Sequence, residues 1–382
     1  MMIYLCDATT LQNTIHRMIH ELGDAFAALG HEVGYLDLGD QASCDRFAAD
    51  FNEQKISIVL QLNLYNDHFL KASGIFSASG VHFFFYGTDH PYFGYDNYAT
   101  FLDGYSRLTI SLTGRDEVAL ARRLFPRRPE TFIEMQQATA EHAVASPDGR
   151  DLGPLLVGNN PLLGRGSPDP EGFRNQWPQR FGLGAARHIN AMIEISRANP
   201  LKPLADVVNE ALDAAFYTAE LSEVRQLAGI FDLYQRSRVR ADAIAALGRS
   251  DAVICGQGWE YLADRVPGNF LGSVDNSEVQ GLIRRSRAVI NAVPHYYSCS
   301  ERVLEAAMMG TPAVTTPSRF FVEEFGDALT YYTRPADLAG AVATAEAADP
   351  DQLARARAIV AARHTWKARA ERIIAAMGAG NN

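Results

Sequence analysis

Residues 1–145 alternate between short apolar runs and longer amphipathic stretches. The first amphipathic stretch carries Ile15, Ile19, Leu22 and Phe26 at helical spacing, and Gly30 follows in the position expected of a helix-ending glycine. The apolar runs predict four strands, at Ile3–Cys6, Val33–Leu38, Ser57–Leu62 and Val81–Tyr86. Because helices rather than hairpin turns separate these strands, the pattern indicates a parallel sheet covered on both faces.

The same alternation resumes after a turn-rich segment, Ser146–Gly153, which predicts a linker. Polar and alanine-rich residues of helical pattern, 168–236, then interrupt it and predict a helical insertion. The strands predicted in this half are Leu155–Val157, Ala252–Cys255, Asn269–Leu271, Ala288–Ala292 and Ala313–Thr315. The predicted fold is therefore α/β with two domains, residues 1–150 and 151–365, and the insertion lies in the second. A final helix, about residues 366–382, is predicted to pack back on the first domain.

Composition narrows the class of protein. Hydrophobic residues make up 47% of the chain and charged residues 21%, which is typical of an ordinary globular protein. The net charge of −10 disfavours a broad nucleic-acid-binding surface, so we expect no nucleic-acid partner. The four cysteines show neither a CxxC pair nor metal-ligand spacing, which fits a reducing compartment. No window approaches about 18 uninterrupted apolar residues, so we expect no transmembrane segment and a cytoplasmic location.

Candidate chemistry concentrates in residues 289–315. A predicted strand leads through a loop to Ser298, and Glu301 three residues later completes a capping-box pattern, so a helix should begin near Ser298. A helix N-terminus presents unpaired N–H groups and the positive end of the helix dipole, which suits a phosphate. Glu305, on the second turn, could accept hydrogen bonds from both hydroxyls of a ribose. The spacing of strand, loop and helix alone is also typical of any βαβ unit. In that alternative, Glu305 is an ordinary helix residue that faces solvent.

The run EAAMMGTP, residues 305–312, resembles the E-A-x-x-x-G-x-P signature of GT-B glycosyltransferases. The preceding residues 300–304, together with the later residues 364–366 and Arg369, resemble the spore-maturation-protein-like subgroup of the group 1 transferases. In the larger family a glutamate stands eight residues before the signature glutamate, and this chain has Tyr297 there. The resemblance therefore does not assign the residues that touch the transferred sugar.

Two further segments resemble the donor domain of the same family. The run VICGQGW resembles a strand followed by G-x-G, in which Gly256 and Gly258 let a ligand approach the backbone. The run FLGSV and the helix after it resemble an element that passes beside the nucleobase, and the resemblance assigns this role to Gly272, Ser273 and Val274.

The resemblance covers about residues 235–372 well and the N-terminal domain in outline. It implies the GT-B fold, two Rossmann-like domains facing across a cleft, and transfer of a sugar from a nucleotide-diphosphate donor without a further cofactor. The helix start would hold the diphosphate and Arg302 would stabilise the leaving group, unless Arg302 pairs with Glu301 or Glu305 instead. The predicted donor-binding residues are Gly256, Gly258, Gly272, Ser273, Val274, Ser298, Cys299, Ser300, Arg302 and Glu305.

Acceptor-side residues are predicted in the N-terminal domain at the carboxyl ends of its strands, where ligands of parallel sheets bind. The loop after the first strand supplies Asp7, Thr9 and Thr10. The loop after a later strand supplies Asp89 and His90, either of which is a candidate general base if transfer inverts the anomeric carbon. An aspartate beside a proline turn is also a common turn former, and a retaining transfer needs no such base.

No metal site is expected. His16 and His20 are spaced i, i+4 on one helix, but no third ligand is evident near them, so we expect an ordinary helix surface. Asp349-Pro350-Asp351 contains a D-x-D string, yet it lies between helical stretches and is predicted to be a helix boundary.

The sequence leaves the acceptor open, since a glycan, a protein or a small molecule would each fit, and it leaves self-association open as well. Two other functions also remain. A nucleotide-sugar epimerase or hydrolase on the same fold would convert its substrate without an acceptor. A non-catalytic module would bind the nucleotide but never release free nucleoside diphosphate.

Overall fold

The computed structural model describes residues 1–7, 13–63, 79–212, 220–248, 251–264 and 269–379. The chain divides into two compact units. Unit 1 comprises Met1–Ala140 together with Ala362–Asn382, and unit 2 comprises Glu141–Ala361. Among the helices of the described ranges, none is both long enough and apolar enough to cross a membrane.

Unit 1 is built on a parallel six-stranded sheet with the strand order β2-β1-β3-β4-β5-β6. Its strands are β1 Met2–Asp7, β2 Glu32–Asp37, β3 Ile56–Leu62, β4 His82–Tyr86, β5 Leu108–Leu112 and β6 Phe132–Glu134. Its described helices are α1 Asn13–Ala28, α2 Gln41–Asn52, α3 Pro91–Gly104, α4 Arg115–Leu124 and a C-terminal helix, α15 Trp366–Ala379.

Strand β4 shows why this sheet has two cores. Its aromatic run, HFFFY, is buried almost throughout, which is the pattern of a strand covered on both faces. Phe83 and Phe85 point into the core on one side of the sheet, whereas Phe84 and Tyr86 point into the core on the other side. The alternation follows from the two-residue period of a strand.

The C-terminal helix α15 shares the second of these cores with α1. Trp366 and Ile373 pack in the same cluster as Ile19 and Leu22 of α1. The indole N–H of Trp366 also donates to Glu21 Oε2 at 2.7 Å. The last helix is therefore a component of the first unit.

Arg369 anchors the start of α15 from the inside. Its side chain is fully buried, and Nε donates to the carbonyl oxygen of Gln136 at 2.6 Å. The two Nη groups donate to the carbonyl oxygens of Arg363 and Gln137 and to the ring of His364. Part of the sequence resemblance at residues 364–369 thus has a structural role.

Replacing Arg369 with methionine should lower the free energy of unfolding by about 2–4 kcal/mol, because the change removes the hydrogen bonds that a fully buried guanidinium makes to three carbonyl oxygens and to His364. Urea denaturation followed by circular dichroism measures the effect. The matched control is Arg372→Met on the same helix, where an exposed arginine donates to the carbonyl oxygen of Glu134. Equal losses in the two variants would contradict the anchoring role.

Unit 2 is built on a second parallel sheet with the order β12-β11-β10-β7-β8-β9. Its strands are β7 Leu155–Val157, β8 Val253–Cys255, β9 Asn269–Gly272, β10 Val289–Asn291, β11 Ala313–Thr315 and β12 Thr330–Tyr331. Its helices are α5 Pro170–Asn175, α6 Trp177–Phe181, α7 Leu183–Ala198, α8 Leu204–Ala211, α9 Leu221–Leu247, α10 Asn276–Arg285, α11 Glu301–Met309, α12 Arg319–Phe325, α13 Leu338–Glu346 and α14 Pro350–Arg363. Asp349–Asp351 lies at the start of α14, as a helix boundary should.

Helix α9 runs through the predicted end of the helical insertion. Arg236, where the insertion was expected to stop, lies in the middle of this 27-residue helix. Its second half packs on the sheet through residues such as Ile244 and Leu247, and the helix ends at Gly248, which has φ 56°. One helix therefore belongs both to the α5–α9 segment and to the layer that covers the sheet.

Candidate functional site

The sheet of unit 2 has a topological switch point. From β7 the chain adds β8 and β9 on one side, and then β10, β11 and β12 on the other. Ligands of such sheets bind in the crevice outside the carboxyl ends of the strands that flank this reversal. In unit 2 these strands are β7 and β10, so the residues that follow Val157 and Asn291 form the candidate site.

The loop after β7 lies directly against the loop after β8. Gly256 has φ 130°, and a Cβ placed on it would lie 2.2 Å from the carbonyl oxygen of Gly158. Gly258 has φ 84°, and a Cβ on it would lie 2.9 Å from the Cβ of Asn160. Both glycines therefore permit a close approach of the protein's own β7 loop, and the approach of a ligand to their backbone stays a prediction.

The end of β9 joins the same group of loops. The backbone N–H of Gly256 donates to the carbonyl oxygen of Gly272 at 2.7 Å. Ser273 is exposed, and Val274 packs partly buried against the core of the unit. The structure thus brings Gly256, Gly258 and Gly272 together, and contact of residues 272–274 with a nucleobase stays a prediction.

The helix that follows β10 starts later than the capping pattern predicted. Helix α11 begins at Glu301 with Ser300 as its N-cap, so the predicted Ser298–Glu301 capping box is wrong. The Ser300 hydroxyl makes no capping hydrogen bond and donates instead to Asn291 Oδ1 at 2.9 Å. The Ser298 carbonyl accepts from the Ser318 hydroxyl. The first turn of α11 therefore has no side-chain cap, as an anion-binding helix start requires.

Glu305 and Arg302 form a buried ion pair one turn into α11. Glu305 is 1% exposed, so it does not face solvent, and its Oε2 accepts from Arg302 Nη1 at 2.7 Å. Arg302 also lies 3.3 Å from Glu301 and donates to Asn276 Oδ1 at 3.1 Å. Burial acts to lower the pKa of Arg302, and Glu301 and Glu305 outweigh that effect and raise the pKa. Of the two interpretations of Arg302, the structure contains the pairing with glutamates.

A second buried carboxylate, Asp232 of α9, binds the loop after β10. The hydroxyls of Tyr296 and Tyr297 both donate to Asp232 Oδ1 at 3.0 Å, and Arg236 Nε lies 2.9 Å from Oδ2. Burial raises the pKa of Asp232, while Arg236 and the two tyrosines act against the rise. Tyr297, which replaces the family glutamate, is thus held beside an acidic group that α9 contributes.

Arg240, one helical turn after Arg236, reaches the loop after β7. Its Nη1 donates to the carbonyl oxygen of Asn159 at 2.6 Å. Burial, followed by the neighbouring charge of Arg236, lowers the pKa of Arg240 to about 10, so it stays protonated at neutral pH. Arg240 therefore contacts the loop after β7, and Arg236 lies beside the carboxylate that binds the loop after β10.

Sequence reasoning missed Asp232, Arg236 and Arg240. The signal was present, because residues four apart on a helix share a face, and Arg236 and Arg240 are four apart. It was overlooked because the insertion was expected to end at Arg236, which separated the two arginines into different elements.

In unit 1, the predicted base His90 serves as a helix cap. It is the N-cap of α3, and its ring Nδ1 accepts from the backbone N–H of Tyr92 at 3.4 Å. Burial lowers the pKa of His90 to about 3, so the ring is a weak base at neutral pH. Asp89 beside it is exposed. Of the two candidate bases, Asp89 is the better supported.

The low pKa of His90 makes the stability of the protein depend on pH. In the unfolded chain this histidine takes up a proton near pH 6.5, whereas in the folded protein it does so only near pH 3. Stability should therefore fall as the pH drops. Between pH 6.5 and 4.5 wild type should lose about 2–3 kcal/mol more than His90→Asn, which keeps a capping oxygen and does not titrate. Urea denaturation at both pH values measures this, and parallel pH profiles would contradict the buried cap.

The predicted acceptor-side loop is represented by one residue, because Thr9 and Thr10 lie outside the described residues. Asp7, the last residue of β1, contacts both His16 and His20 of α1. The expectation that these two histidines have no third potential ligand nearby is therefore wrong.

Comparison with known proteins agrees with this geometry. Residues 236–375 match the family model described as glycosyl transferase-like. Among curated proteins, none matches the chain.

Solved structures resemble the whole chain in fold. An alpha-glucosyltransferase in complex with UDP and a 13-mer DNA is 11% identical with a TM-score of 0.56, over 99% of each chain. The Anabaena protein HepE in complex with UDP-glucose is 12% identical with a TM-score of 0.51, over 99% of each chain. AviGT4, a glycosyltransferase involved in avilamycin A biosynthesis, is 13% identical with a TM-score of 0.51, over 98% of this chain and 96% of its own.

These neighbours confirm the predicted GT-B fold, and the glycosyl transferase-like family model matches residues 236–375, less than half of the chain. The spore-maturation-protein-like subgroup stays a prediction. The chain therefore carries a glycosyl transferase-like segment at residues 236–375 within a GT-B fold, and the family match supports glycosyl transfer as its activity.

Proposed function

We propose that unit 2 binds the diphosphate of a nucleotide sugar at its switch point and that the sugar is transferred to an acceptor hydroxyl. The observation that carries the proposal is the pair Arg236 and Arg240 on one face of α9. Arg240 donates to the loop after β7, and Arg236 pairs with Asp232, the carboxylate that binds the loop after β10. Guanidinium groups and an uncapped helix start are the two protein features best suited to bind a diphosphate. Both occur here at the carboxyl ends of neighbouring strands.

The main chemical role of this site is to stabilise the leaving group of the transfer reaction. As the bond between the anomeric carbon and the diphosphate oxygen breaks, negative charge grows on the diphosphate. Arg236, Arg240 and the N-terminus of α11 stabilise that charge because their positions are set by packing before the reaction. The acceptor oxygen forms the new bond to the anomeric carbon and gives up its proton.

Glu305 is proposed as the ribose ligand of the nucleotide. Its carboxylate is buried and is oriented by Arg302, so Arg302 positions this carboxylate rather than binding phosphate itself. A carboxylate that is already fixed can accept hydrogen bonds from both hydroxyls of a ribose without losing side-chain freedom on binding. The predicted contacts of Ser298, Cys299 and Ser300 are then made through the backbone at the helix start.

The acceptor is proposed to bind unit 1, with Asp89 as the general base if the configuration inverts. A UDP-sugar is the first donor to test, because HepE was solved with UDP-glucose and the alpha-glucosyltransferase with UDP. All four cysteines are free thiols, which supports the proposed cytoplasmic location.

A donor screen by thermal shift tests the proposal. UDP-glucose, UDP-galactose, UDP-N-acetylglucosamine, GDP-mannose and ADP-glucose are added separately, and a bound donor raises the melting temperature by mass action. The best donor is then incubated with and without a panel of acceptors. Release of free nucleoside diphosphate only with acceptor supports transfer. Conversion without acceptor would support the epimerase or hydrolase alternative, and a thermal shift without any turnover would support a binding module.

A further inference from the structure

Unit 1 also has a topological switch point, and three metal-ligating side chains meet beside it. From β1 the chain adds β2 on one side and β3 on the other. Asp7 is the last residue of β1, so its carboxylate lies at the carboxyl end of a strand that flanks the reversal. His16 and His20 project from α1 toward the same carboxylate.

The three side chains are close enough to share one ion. His16 Nδ1 lies 2.9 Å from Asp7 Oδ1, and His20 Nε2 lies 3.2 Å from Asp7 Oδ2. The three ligand atoms all lie within 4.8 Å of one another. Adjacent ligands around a zinc ion with bonds near 2.1 Å are roughly 3.0–3.5 Å apart. The His20–Asp7 distance lies within this range, and the His16–Asp7 distance lies just below it.

Secondary structure rather than loops holds the three ligands. Strand β1 and helix α1 are joined by a common core in which Leu5 of the strand packs with Ile19 and Leu22 of the helix. The His20 ring also stacks on Tyr35, with ring centres 4.3 Å apart and planes inclined by 22°. The backbone of the site is therefore built before any ion binds.

The site is closed on the aspartate side and open on the histidine side. The side chain of Asp7 is 7% exposed, whereas those of His16 and His20 are 44% and 41% exposed. The open side leaves each imidazole room to turn one ring nitrogen toward a shared ion. Three protein ligands with an open side are characteristic of sites that keep coordination positions for water or a substrate.

We propose that Asp7, His16 and His20 form a binding site for one divalent transition-metal ion, with zinc as its best representative. Two imidazoles and one carboxylate favour Zn²⁺, Co²⁺ or Ni²⁺ over Mg²⁺ and Ca²⁺, which require mostly oxygen ligands. The positions on the open side take water or an oxygen of a bound molecule. The site lies in unit 1 and is independent of the diphosphate site proposed for unit 2.

The competing interpretation is a cluster held only by hydrogen bonds, in which each imidazole donates to Asp7. Metal binding would replace those two hydrogen bonds with two metal–nitrogen bonds, and in each neutral imidazole the proton would move from the coordinating nitrogen to the other ring nitrogen. Both interpretations share the same metal-free geometry. They differ in that only the metal site predicts binding of one ion per chain.

Calorimetric titration of the full chain, without a polyhistidine tag, with Zn²⁺ tests the site, and titration with Co²⁺ followed by visible absorption gives a second readout. Wild type should bind one ion per chain, and His16→Gln and His20→Gln should each weaken binding about 100-fold or more. Both changes are at half-exposed positions, so they test the site even if Asp7→Asn fails to fold. Mg²⁺ should not compete at equal concentration.

The matched control is His31→Gln, which removes another histidine of unit 1 and should leave Zn²⁺ affinity within about twofold of wild type. Absence of stoichiometric Zn²⁺ binding would overturn the proposal and leave the hydrogen-bonded cluster. Equal weakening in His31→Gln and His20→Gln would also overturn it, because it would indicate scattered binding to surface histidines.

Discussion

Replacing Arg240 with glutamine should weaken binding of the nucleoside diphosphate about 10- to 150-fold, the loss expected for charge-assisted hydrogen bonds worth about 1.5–3 kcal/mol. The reason is local, because Arg240 is the guanidinium that reaches the loop after β7 at the switch point. The Arg240 guanidinium donates there to the neutral carbonyl of Asn159, so replacing Arg240 does not leave a charged partner without its counterion. Calorimetric titration with UDP measures the effect.

The matched control for this experiment is Arg238→Gln. Arg238 lies between the two site arginines on α9, but its guanidinium contacts Tyr234 and Asp242. UDP affinity of this variant should remain within about twofold of wild type, because residues two apart on a helix point to different faces and Arg238 contacts neither loop. Arg236 needs a paired change, Asp232→Asn with Arg236→Gln, because removing Arg236 alone would leave a buried carboxylate uncompensated. Equal UDP affinity in wild type and Arg240→Gln would contradict the assignment of the diphosphate site.

Glu305→Ala should have the second large effect, and it should appear in two measurements. The change removes the closer of the two carboxylates that pair with a mostly buried guanidinium, so the free energy of unfolding should fall by about 2–4 kcal/mol. If Glu305 binds the ribose, nucleotide affinity should also fall by about 1–3 kcal/mol when two hydrogen bonds are lost. Glu305→Gln should retain more stability, because the glutamine oxygen still accepts from Arg302.

A ligand cycle separates the ribose contact from the structural role. UDP and 2′,3′-dideoxy-UDP are each titrated into wild type and Glu305→Gln. The substitution should weaken UDP binding and leave dideoxy-UDP binding nearly unchanged. The reason is that the analogue lacks the two hydroxyls that would donate hydrogen bonds to Glu305. An equal loss with both nucleotides would show that Glu305 acts only through the structure of α11.

Much of the fold could be predicted because its signals are local and repeated. Aromatic and β-branched runs bounded by turn residues mark the strands, and the absence of hairpin turns between them implies a parallel sheet. The burial of β4 on both faces follows from its uninterrupted run, HFFFY. The GT-B signature at residues 305–312 indicated the family independently of these patterns.

The start of α11 was mispredicted because a tertiary contact competes with a local one. Ser298 and Glu301 have the spacing of a capping box, and isolated peptides with that spacing favour one. In the folded unit the Ser300 hydroxyl instead binds Asn291 at the end of β10, and the helix begins at Glu301. A pattern read over four residues contains no information about a strand nine residues away.

The remaining misses have the same origin. Gly256 and Gly258 have the left-handed backbone that a G-x-G element suggests, yet their close neighbour is another loop of the protein. Asp7 joins His16 and His20 only because α1 packs against β1. In each case the residue type was informative, and the partner was determined by packing between elements.

Acceptor-dependent release of nucleoside diphosphate from the best donor of the thermal-shift screen, compared among wild type, Arg238→Gln and Arg240→Gln, tests the central claim most directly. With the donor below saturation, wild type and Arg238→Gln should release the diphosphate at similar rates, only when acceptor is present. Arg240→Gln should be slower by at least about tenfold. Release that ignores the acceptor, or equal rates in all three proteins, would contradict a glycosyltransferase whose donor diphosphate binds at the β7–β10 switch point.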